Sequence, residues 1–555
     1  MSSGLPRYLT DWPGKSAGGD GPEHPAIYHM LDVAAVAEVL LEPADIPTRW
    51  KSALSLLIAL HDLGKIGAGF RAMIREGRPQ EVRHWELTEV WLLDDQWLQQ
   101  RLAADPWVMQ ALVPAIAGHH GRPSRQDPRF FRRLQGAAGA EAATDTPEAI
   151  RALAELLPDA SLEGLEEAQA VSLSWWLAGL TTVADWLGSS ADWFLARRAD
   201  LPLADYLALT RQAAARQVPA AGVISTTPRE GKLFDFDLRP MQQAASEAAL
   251  PDGPVLAFIE DETGSSKTEA ALILAQRVLQ AGKGRGLFFA LPTMATADAM
   301  FLRAADVAGR ILVNPTVTLA HGRAGLSVPF RNLQAGRAAQ SDDITCTAWL
   351  ADNNRRALLG DIGIGTIDQG LLGVMRARFS ALRLWGLSSK ILIVDEAHEI
   401  SGDGYMAALL QTLLRVHAAQ GGSAILLSAT LPIVARNRLS RAFAEGAGMD
   451  WTENRDPSYP ALIISGAQES KDIQAISNNK GIVAVERLGN AEQALDLIAG
   501  AARAGAACLW VRNAVDDAID AVTALRAAGI DAGLLQPTRT GRALHRQETL
   551  LRVGR

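Results

Sequence analysis

Trp50–Lys65 reads WKSALSLLIALHDLGK, and this stretch decides how the first half of the chain is built. Ala53, Leu54, Leu57, Ile58 and Leu60 recur at helical spacing, with no strand-like alternation. The helix ends on an adjacent His61-Asp62. A neutral imidazole beside a carboxylate suits a divalent transition ion with open coordination positions. An isolated His-Asp pair is more often a core or capping pair, so the remaining ligands must come from elsewhere in the domain.

They are available. His29 lies in HMLD, His84 in RHWE, His119-His120 in GHHGRP and Asp185 in ADWLGSS. Six of the 10 histidines fall within the first 120 residues. Ligands from separate helices can converge inside a bundle. Five histidines and two aspartates suffice for one or two metals, with a carboxylate bridging the pair. Two ions about 3.5–4 Å apart can activate a water and stabilise the leaving oxygen of a phosphodiester. His24 sits in a Gly/Pro-rich entry loop and is left out of the set. Beyond the double histidine, Arg122, Arg125, Arg129, Arg132 and Arg133 surround Phe130 and Phe131, a pattern able to track a phosphate backbone and stack bases.

The remaining signals set limits. At 555 residues about three domains are expected. A net charge of −8 excludes a generic polyanion binder, so nucleic-acid contacts must be local. Two distant cysteines, Cys346 and Cys508, exclude a disulfide framework or a thiolate zinc site. With no signal region and no run of about 18 apolar residues, the expectation is a soluble, cytoplasmic monomer without a membrane partner.

The helical rhythm continues to about residue 215, and an all-α domain is expected over 1–215. The small, acidic stretch 136–168 reads as a loosely packed excursion from it. Proline, glycine and threonine mark a linker at 216–235. Thereafter short apolar strands alternate with helices: PVLAFIE, GLFFALPT, KILIVDEAH and SAILLSAT. That alternation implies a parallel sheet with helical crossovers. One α/β domain is expected over 236–450 and a partial second one, containing AACLWVRN, over 451–555.

In this order, H…HD…H…HH…D followed by a motor, the chain resembles the CRISPR-associated type I effector helicase-nucleases. HMLDVAAVAEVLL, HDLGK, GHHGRP and ADWLGSS resemble the family's HD half. LPTMATADAMF, GIGTIDQGLLGVM, IVDEAH and LLSATLP resemble its first RecA-like motor domain, and WVRNAVDDAID the start of the second. The resemblance implies an HD nuclease fused to a DEAH-type helicase of superfamily 2, using divalent metal, ATP and magnesium. It further implies recruitment to a CRISPR RNA-guided surveillance complex and cleavage of the displaced single-stranded DNA.

The motor residues also make chemical sense. TGSSKT after LAFIE is a phosphate loop, whose backbone N–H groups and following helix N-terminus hold polyphosphate. Gly264 and Ser265 shape it, Lys267 would reach the β- and γ-phosphates, and Thr268 would hold magnesium. Asp395 would orient the magnesium through water, and Glu396 would position the attacking water. Gln242 matches the family's adenine-contacting glutamine. Thr296 and Ser428-Ala429-Thr430 match positions that couple ATP to DNA. Lys65, Ser189, Arg122 and Arg125 are candidates for touching the DNA phosphates.

Two departures are visible. The loop reads Asp261-Glu262-Thr263-Gly264-Ser265-Ser266-Lys267-Thr268, with acids near an anionic ligand and Ser266 where the family has glycine. The chain also stops after TRTGRALHRQETLLRVGR, where the family continues with an arginine-bearing last motif. The expectation is therefore a nuclease with impaired unwinding. The alternatives are a catalytically weak recruitment remnant and an HD phosphohydrolase acting on small nucleotides.

Overall fold

The computed structural model describes residues 4–15, 21–121, 134, 136–327, 330–331, 333, 346–351, 355–402, 404–465, 471–473, 484–512 and 514–533. The arginine- and phenylalanine-rich segment, including Arg122 and Arg125, lies outside them. The chain forms two compact units, Met1–Ile476 and Ser477–Arg555.

The larger unit opens with a short antiparallel ladder of β1 (Pro13–Lys15) and β2 (His24–Pro25), followed by helices. α1 (Ala26–Leu41) is buried except at Glu38 and Val39, which explains why its sequence is apolar all round rather than striped. α2 (Thr48–Ala59) runs into a tight turn, Leu60–Lys65, in which Asp62 leaves helical geometry at φ −113°, ψ 22°. On a continuous helix, adjacent side chains diverge by about 100°. The kink instead lets His61 and Asp62 face one centre.

Gly64 is required by contact. A Cβ there would lie 1.9 Å from the carbonyl oxygen of His84. Its absence lets α3 (His84–Asp94) start directly on the turn, where the Gly64 N–H donates to Thr88 Oγ1 at 2.9 Å. α4 (Pro106–Ala117) is capped by Asp105, which accepts from the Trp107 N–H at 2.9 Å, and ends in a second tight turn, Gly118–His120.

The stretch expected to be loosely packed is instead a regular helix, α5 (Ala140–Glu155), with Ala142, Ala149, Ile150, Leu153 and Ala154 buried. Its small residues mark close approach rather than looseness, since alanine favours the helix and fills little space. Buried Asp145 on α5 accepts from Trp12 Nε1 at 2.7 Å and from Arg7 at 2.8 Å, tying the N-terminus down. α6 (Glu167–Gly188) and α7 (Leu203–Ala220) complete the helical domain.

α7 extends five residues into the expected linker, and the rest of that segment is fastened to the next domain. Thr347 Oγ1 donates to Ala221 O at 2.7 Å, the Thr226 N–H to Asp361 Oδ1 at 3.2 Å, and the Val313 N–H to Thr227 O at 3.0 Å.

After α8 (Pro240–Glu247) the alternation predicted from sequence is realised. β3 (Leu256–Glu260) leads to α9 (Lys267–Gln280), and β4 (Leu287–Leu291) to α10 (Met294–Ile311). Next come β5 (Val317–Ala320), β6 (Ile362–Thr366), α11 (Ser380–Ser388), β7 (Ile391–Val394), α12 (Gly404–Ala419), β8 (Ala424–Ser428) and α13 (Ile433–Ala447). With β9 (Ala461–Ile464) and β10 (Lys471–Asp472), the sheet order is β10-β9-β3-β8-β7-β4-β6-β5. The six strands from β3 to β8 are parallel and entirely buried, which accounts for their largely apolar sequences.

Ala461–Ile464 and Lys471–Asp472, expected in the second motor domain, are strands of this first sheet. β9 pairs antiparallel with β3, Ala257 opposite Ile464 and Glu260 opposite Ala461. In the smaller unit, α14 (Ala491–Arg503) and α15 (Val515–Ala527) share a core of Ala499, Ala502, Leu525, Ile530 and Ala532. AACLWVRN has no strand partner among the described residues. No single described helix is long and apolar enough to cross a membrane.

Within the larger unit the helical and sheet domains meet where α6 crosses α11. A Cβ on Gly179 would lie 2.4 Å from Trp385 Cβ and 2.5 Å from Ala381 O. Gly179→Leu is expected to wedge this crossing and cost about 1–3 kcal/mol, read as a lower denaturant midpoint. An unchanged midpoint would show that the crossing tolerates bulk.

Candidate metal centre and nucleotide site

The seven predicted ligands converge. Asp62, 2% exposed, stands at the middle, and its two carboxylate oxygens face different partners. Oδ2 lies 3.2 Å from His29 Nε2, 3.2 Å from His61 Nε2 and 2.7 Å from Lys65 Nζ. Oδ1 lies 3.3 Å from His84 Nε2 and 3.5 Å from His119 Nε2. Asp185 Oδ1 closes the first side, 3.6 Å from both His29 and His61. On the other side His84 Nε2 and His120 Nε2 are 3.0 Å apart. Two ligand clusters result, His29–His61–Asp62–Asp185 and Asp62–His84–His119–His120, each with its donor atoms within 4.8 Å of one another.

Outer contacts aim these groups. Carbonyls only accept, so His61 Nδ1 donates to Ile58 O at 2.8 Å and His119 Nδ1 to Ile116 O at 2.9 Å, turning each Nε2 inward. Ser189 Oγ donates to Asp185 Oδ1 at 3.0 Å, so Ser189 orients a ligand. Lys65, besides pairing with Asp62, donates to Gly14 O at 3.2 Å.

The residues fit a cationic group. His61 Nε2, His119 Nε2 and Asp62 Oδ1 are buried without a hydrogen-bond partner. Burial opposes charge on Asp62 but Lys65 and His61 outweigh it, and burial of Asp185 is outweighed by His29 and His61, so both stay well below the usual carboxylate range. Burial likewise opposes charge on His61, yet Asp62 and Asp185 raise it to about 9. Burial lowers His119 to about 3 and also lowers His29 and His120. The Lys65 ammonium and the His61 proton thus neutralise two carboxylates at the place a cation would take.

Sequence reading passed over Lys15. Its half-buried amine donates to Gly188 O at 3.1 Å, three residues beyond Asp185, and burial lowers its pKa. The available signal was a lone lysine just after Trp12, an anchor buried in the core. His24, left out of the set, sits 3.1 Å from Asp32 Oδ2, while Tyr206 and Thr210 donate to Asp32 Oδ1 at 2.8 Å. That is a closed structural network.

The sheet gathers the motor residues at the carboxyl ends of its strands, where open α/β sheets place ligands. β3 leads into the phosphate loop, β7 into Asp395-Glu396 and β8 into Ser428-Ala429-Thr430. Gly264 has φ 85°, and Ser266, in the glycine's place, has φ 72°, ψ 35°. Lys267 Nζ turns back onto its own loop, donating to Asp261 O at 2.8 Å and Glu262 O at 2.9 Å. Thr268 Oγ1 accepts from Arg303 at 3.5 Å, and Ser265 Oγ is buried without a partner.

Burial raises the Asp395 pKa, and Glu396 adds to the rise. His398 Nδ1 lies 3.2 Å from Ser428 Oγ, which accepts from the Thr430 N–H at 3.1 Å, so the DEAH segment and the strand-end serine are already linked. Ala429 lies between them. Thr296 caps α10 through Thr293, its Oγ1 donating to Thr293 O at 2.8 Å. Buried Gln242 accepts from the Arg239 N–H at 3.0 Å. The backbone N–H groups at the start of α9 suit a polyphosphate.

A His–Asp centre among helices, on one compact unit with a phosphate loop and a DEAH strand end, defines an HD-domain protein fused to a helicase-type domain. Residues 12–194 match the family described as "Cas3, HD domain", and residues 239–438 match "DEAD/DEAH box helicase". The CRISPR-associated endonuclease/helicase Cas3 of Thermus thermophilus is 33% identical over 501 residues, covering 80% of this chain and 52% of the relative. The Escherichia coli protein of the same description is 31% identical, with 83% and 58% covered. A crystal structure of T. fusca Cas3 with ATP is similar at TM-score 0.70 and 27% identity, over 83% of this chain and 56% of that one. The two matched stretches belong to the Cas3 HD-domain and DEAD/DEAH helicase families, and the chain spans just over half the length of the curated relatives it matches. These two matches imply use of a metal and of ATP.

The geometry sets two expected outcomes. Ser266→Gly is expected to stabilise the chain by about 1 kcal/mol, since glycine takes the left-handed conformation without Cβ conflict; a lowered melting temperature would contradict this. Cation uptake must displace the His61 proton, so between pH 7 and about 9 apparent affinity should rise roughly tenfold per pH unit. Calorimetry in buffers of differing ionisation enthalpy should show about one proton released at pH 7, and none if the assignment is wrong.

Proposed function

We propose that this chain is a divalent-metal-dependent nuclease that cuts single-stranded DNA, served by an ATP-binding motor domain on the same rigid unit. The observation that carries this reading is Asp62, one buried carboxylate presenting each oxygen to a separate cluster of imidazoles. That donor set would suit two cations. His29, His61, Asp62 and Asp185 would hold one transition-metal ion, and Asp62, His84, His119 and His120 would hold the other. Cations bound there supply the acidity that activates water and the charge that steadies a departing phosphate oxygen. The chain's own groups orient and neutralise. Ser189 fixes Asp185, and Lys65 and half-buried Lys15 offer ammonium groups for a DNA phosphate. In the motor domain, Lys267, Thr268, Asp395 and Glu396 receive magnesium ATP, while Ser428 and His398 relay its state.

A structure titled "CRISPR RNA-guided surveillance complex, pre-nicking" contains a chain similar to this one at TM-score 0.61 and 27% identity. That likeness supports recruitment to such a complex. Base pairing to the guide would then read sequence, and this chain would cut with little sequence preference. A weakened motor is favoured by the Lys267 contacts within its own loop and by the left-handed Ser266.

With manganese, nickel, cobalt or zinc, the chain is expected to cleave single-stranded DNA, and Asp62→Ala to reduce cleavage to background. Equal activity in both would refute the centre. Competition by a small nucleotide at DNA-like concentrations would instead favour a phosphohydrolase. Lys267→Ala should abolish whatever ATP turnover the chain has; no change would retire the loop as an ATPase site.

A further inference from the structure

The two halves of the metal centre are not held in the same way. His29, His61 and Asp185 stand on α1, the turn after α2, and α6, all within the helical domain. His119 is also secured from within, with Thr182 Oγ1 of α6 donating to His119 O at 3.1 Å. His120 is different. It ends the turn Gly118–His120, and its carbonyl accepts a hydrogen bond from Arg378 Nε at 3.2 Å, a residue of the sheet domain.

The contact around that bond is tight. Gly121 has φ 87°, and a Cβ on it would lie 2.9 Å from Arg378 Cγ and 3.0 Å from the Phe379 nitrogen. Phe379 is itself left-handed at φ 62°, with its buried ring 5.5 Å from that of Trp186. Arg378 lies just before α11, which leads into β7 and so to Asp395-Glu396. One segment of the motor domain therefore touches the metal centre at one end and the nucleotide site at the other.

We propose that Arg378 is a positioning residue for the nuclease centre. By holding the His120 carbonyl it sets the His120 imidazole against His84, and so tunes the Asp62–His84–His119–His120 subsite. The His29–His61–Asp62–Asp185 subsite is left to the helical domain alone. The inference rests on the two-cation reading above. Its consequence is that the helical domain supplies one cation site unaided, whereas the second is complete only when the motor domain is docked.

The test is a cobalt titration of the full chain, followed by calorimetry and by visible absorption of the bound ion. Wild type is expected to take two cations with separable affinities. Losing one such hydrogen bond is expected to weaken one site about three- to tenfold in Arg378→Ala, with its absorption band altered and the other site unchanged. Arg378→Lys, which keeps a donor, should recover part of the loss. In a His84→Ala background Arg378→Ala should add nothing. Gly121→Ala wedges the same contact from the other side and should produce the same selective loss if Arg378→Ala fails to fold. Fewer than two cations in wild type would defeat the two-cation reading and this inference with it. Two cations in wild type with both affinities unchanged in the variants would overturn the inference alone. Equal weakening of both sites would do the same, since it would indicate general loosening.

Discussion

A single buried charge governs the helical domain. The Asp62 carboxylate is almost wholly removed from water, and an uncompensated charge in that position would be strongly destabilising. Compensation comes from Lys65 and His61 on its own turn, with His84 of α3 and His29 of α1 adding to it. Each of these elements is thereby fixed in rotation as well as position. A slip of one residue along α1 would swing His29 about 100° away from the carboxylate. The small residues obey the same constraint: Gly64 admits α3, and Gly188 admits Val33 of α1, whose Cγ2 would lie 2.9 Å from an added Cβ.

The sheet domain extends this rigid body rather than hanging from it. α6 contributes Asp185 near its end and, at Gly179, the closest approach to α11. The connecting segment is clamped by Asp361, which is buried and accepts from the Thr316 N–H and Oγ1 at 2.8 Å as well as from the Thr226 N–H. Burial raises the Asp361 pKa, as expected where desolvation is only partly offset by hydrogen bonds. The His–Asp centre and the phosphate loop thus share one framework.

Backbone strain collects where the motor chemistry sits. Ser266 and Glu396 both take left-handed conformations, which cost a non-glycine residue about 1 kcal/mol or more. Both come after a strand-end segment and directly precede a helix. Neighbouring packing holds them: β3 is pinned by a buried ion pair between Glu260 and Arg436 at 2.9 Å, and β7 is covered by strands on both sides. Such positions point backbone N–H groups and acids outward from strand ends, at the cost of local ease.

Residue identity and spacing were enough to announce the helical first half, the alternating second half, the seven residues that converge around Asp62 and the loop after β3. Those features depend on side-chain type and on short-range periodicity, both of which are written locally. The acidic excursion was misjudged because the value of α5's alanines depends on what they pack against. The placement of Ala461–Ile464 was missed because β9 acquires its meaning only by pairing with β3, some 200 residues earlier. Lys15 and Arg378 were silent for a related reason. Neither basic residue carries a periodic signature, and the proximity of Lys15 to Gly188 and of Arg378 to His120 arises from segments far apart in the chain. Sequence alone determined which residue types the chain brings to its His–Asp centre and phosphate loop. Only the folded chain decided how Asp62 divides its two oxygens and which domain holds each histidine, because those are distances between elements that no local pattern encodes.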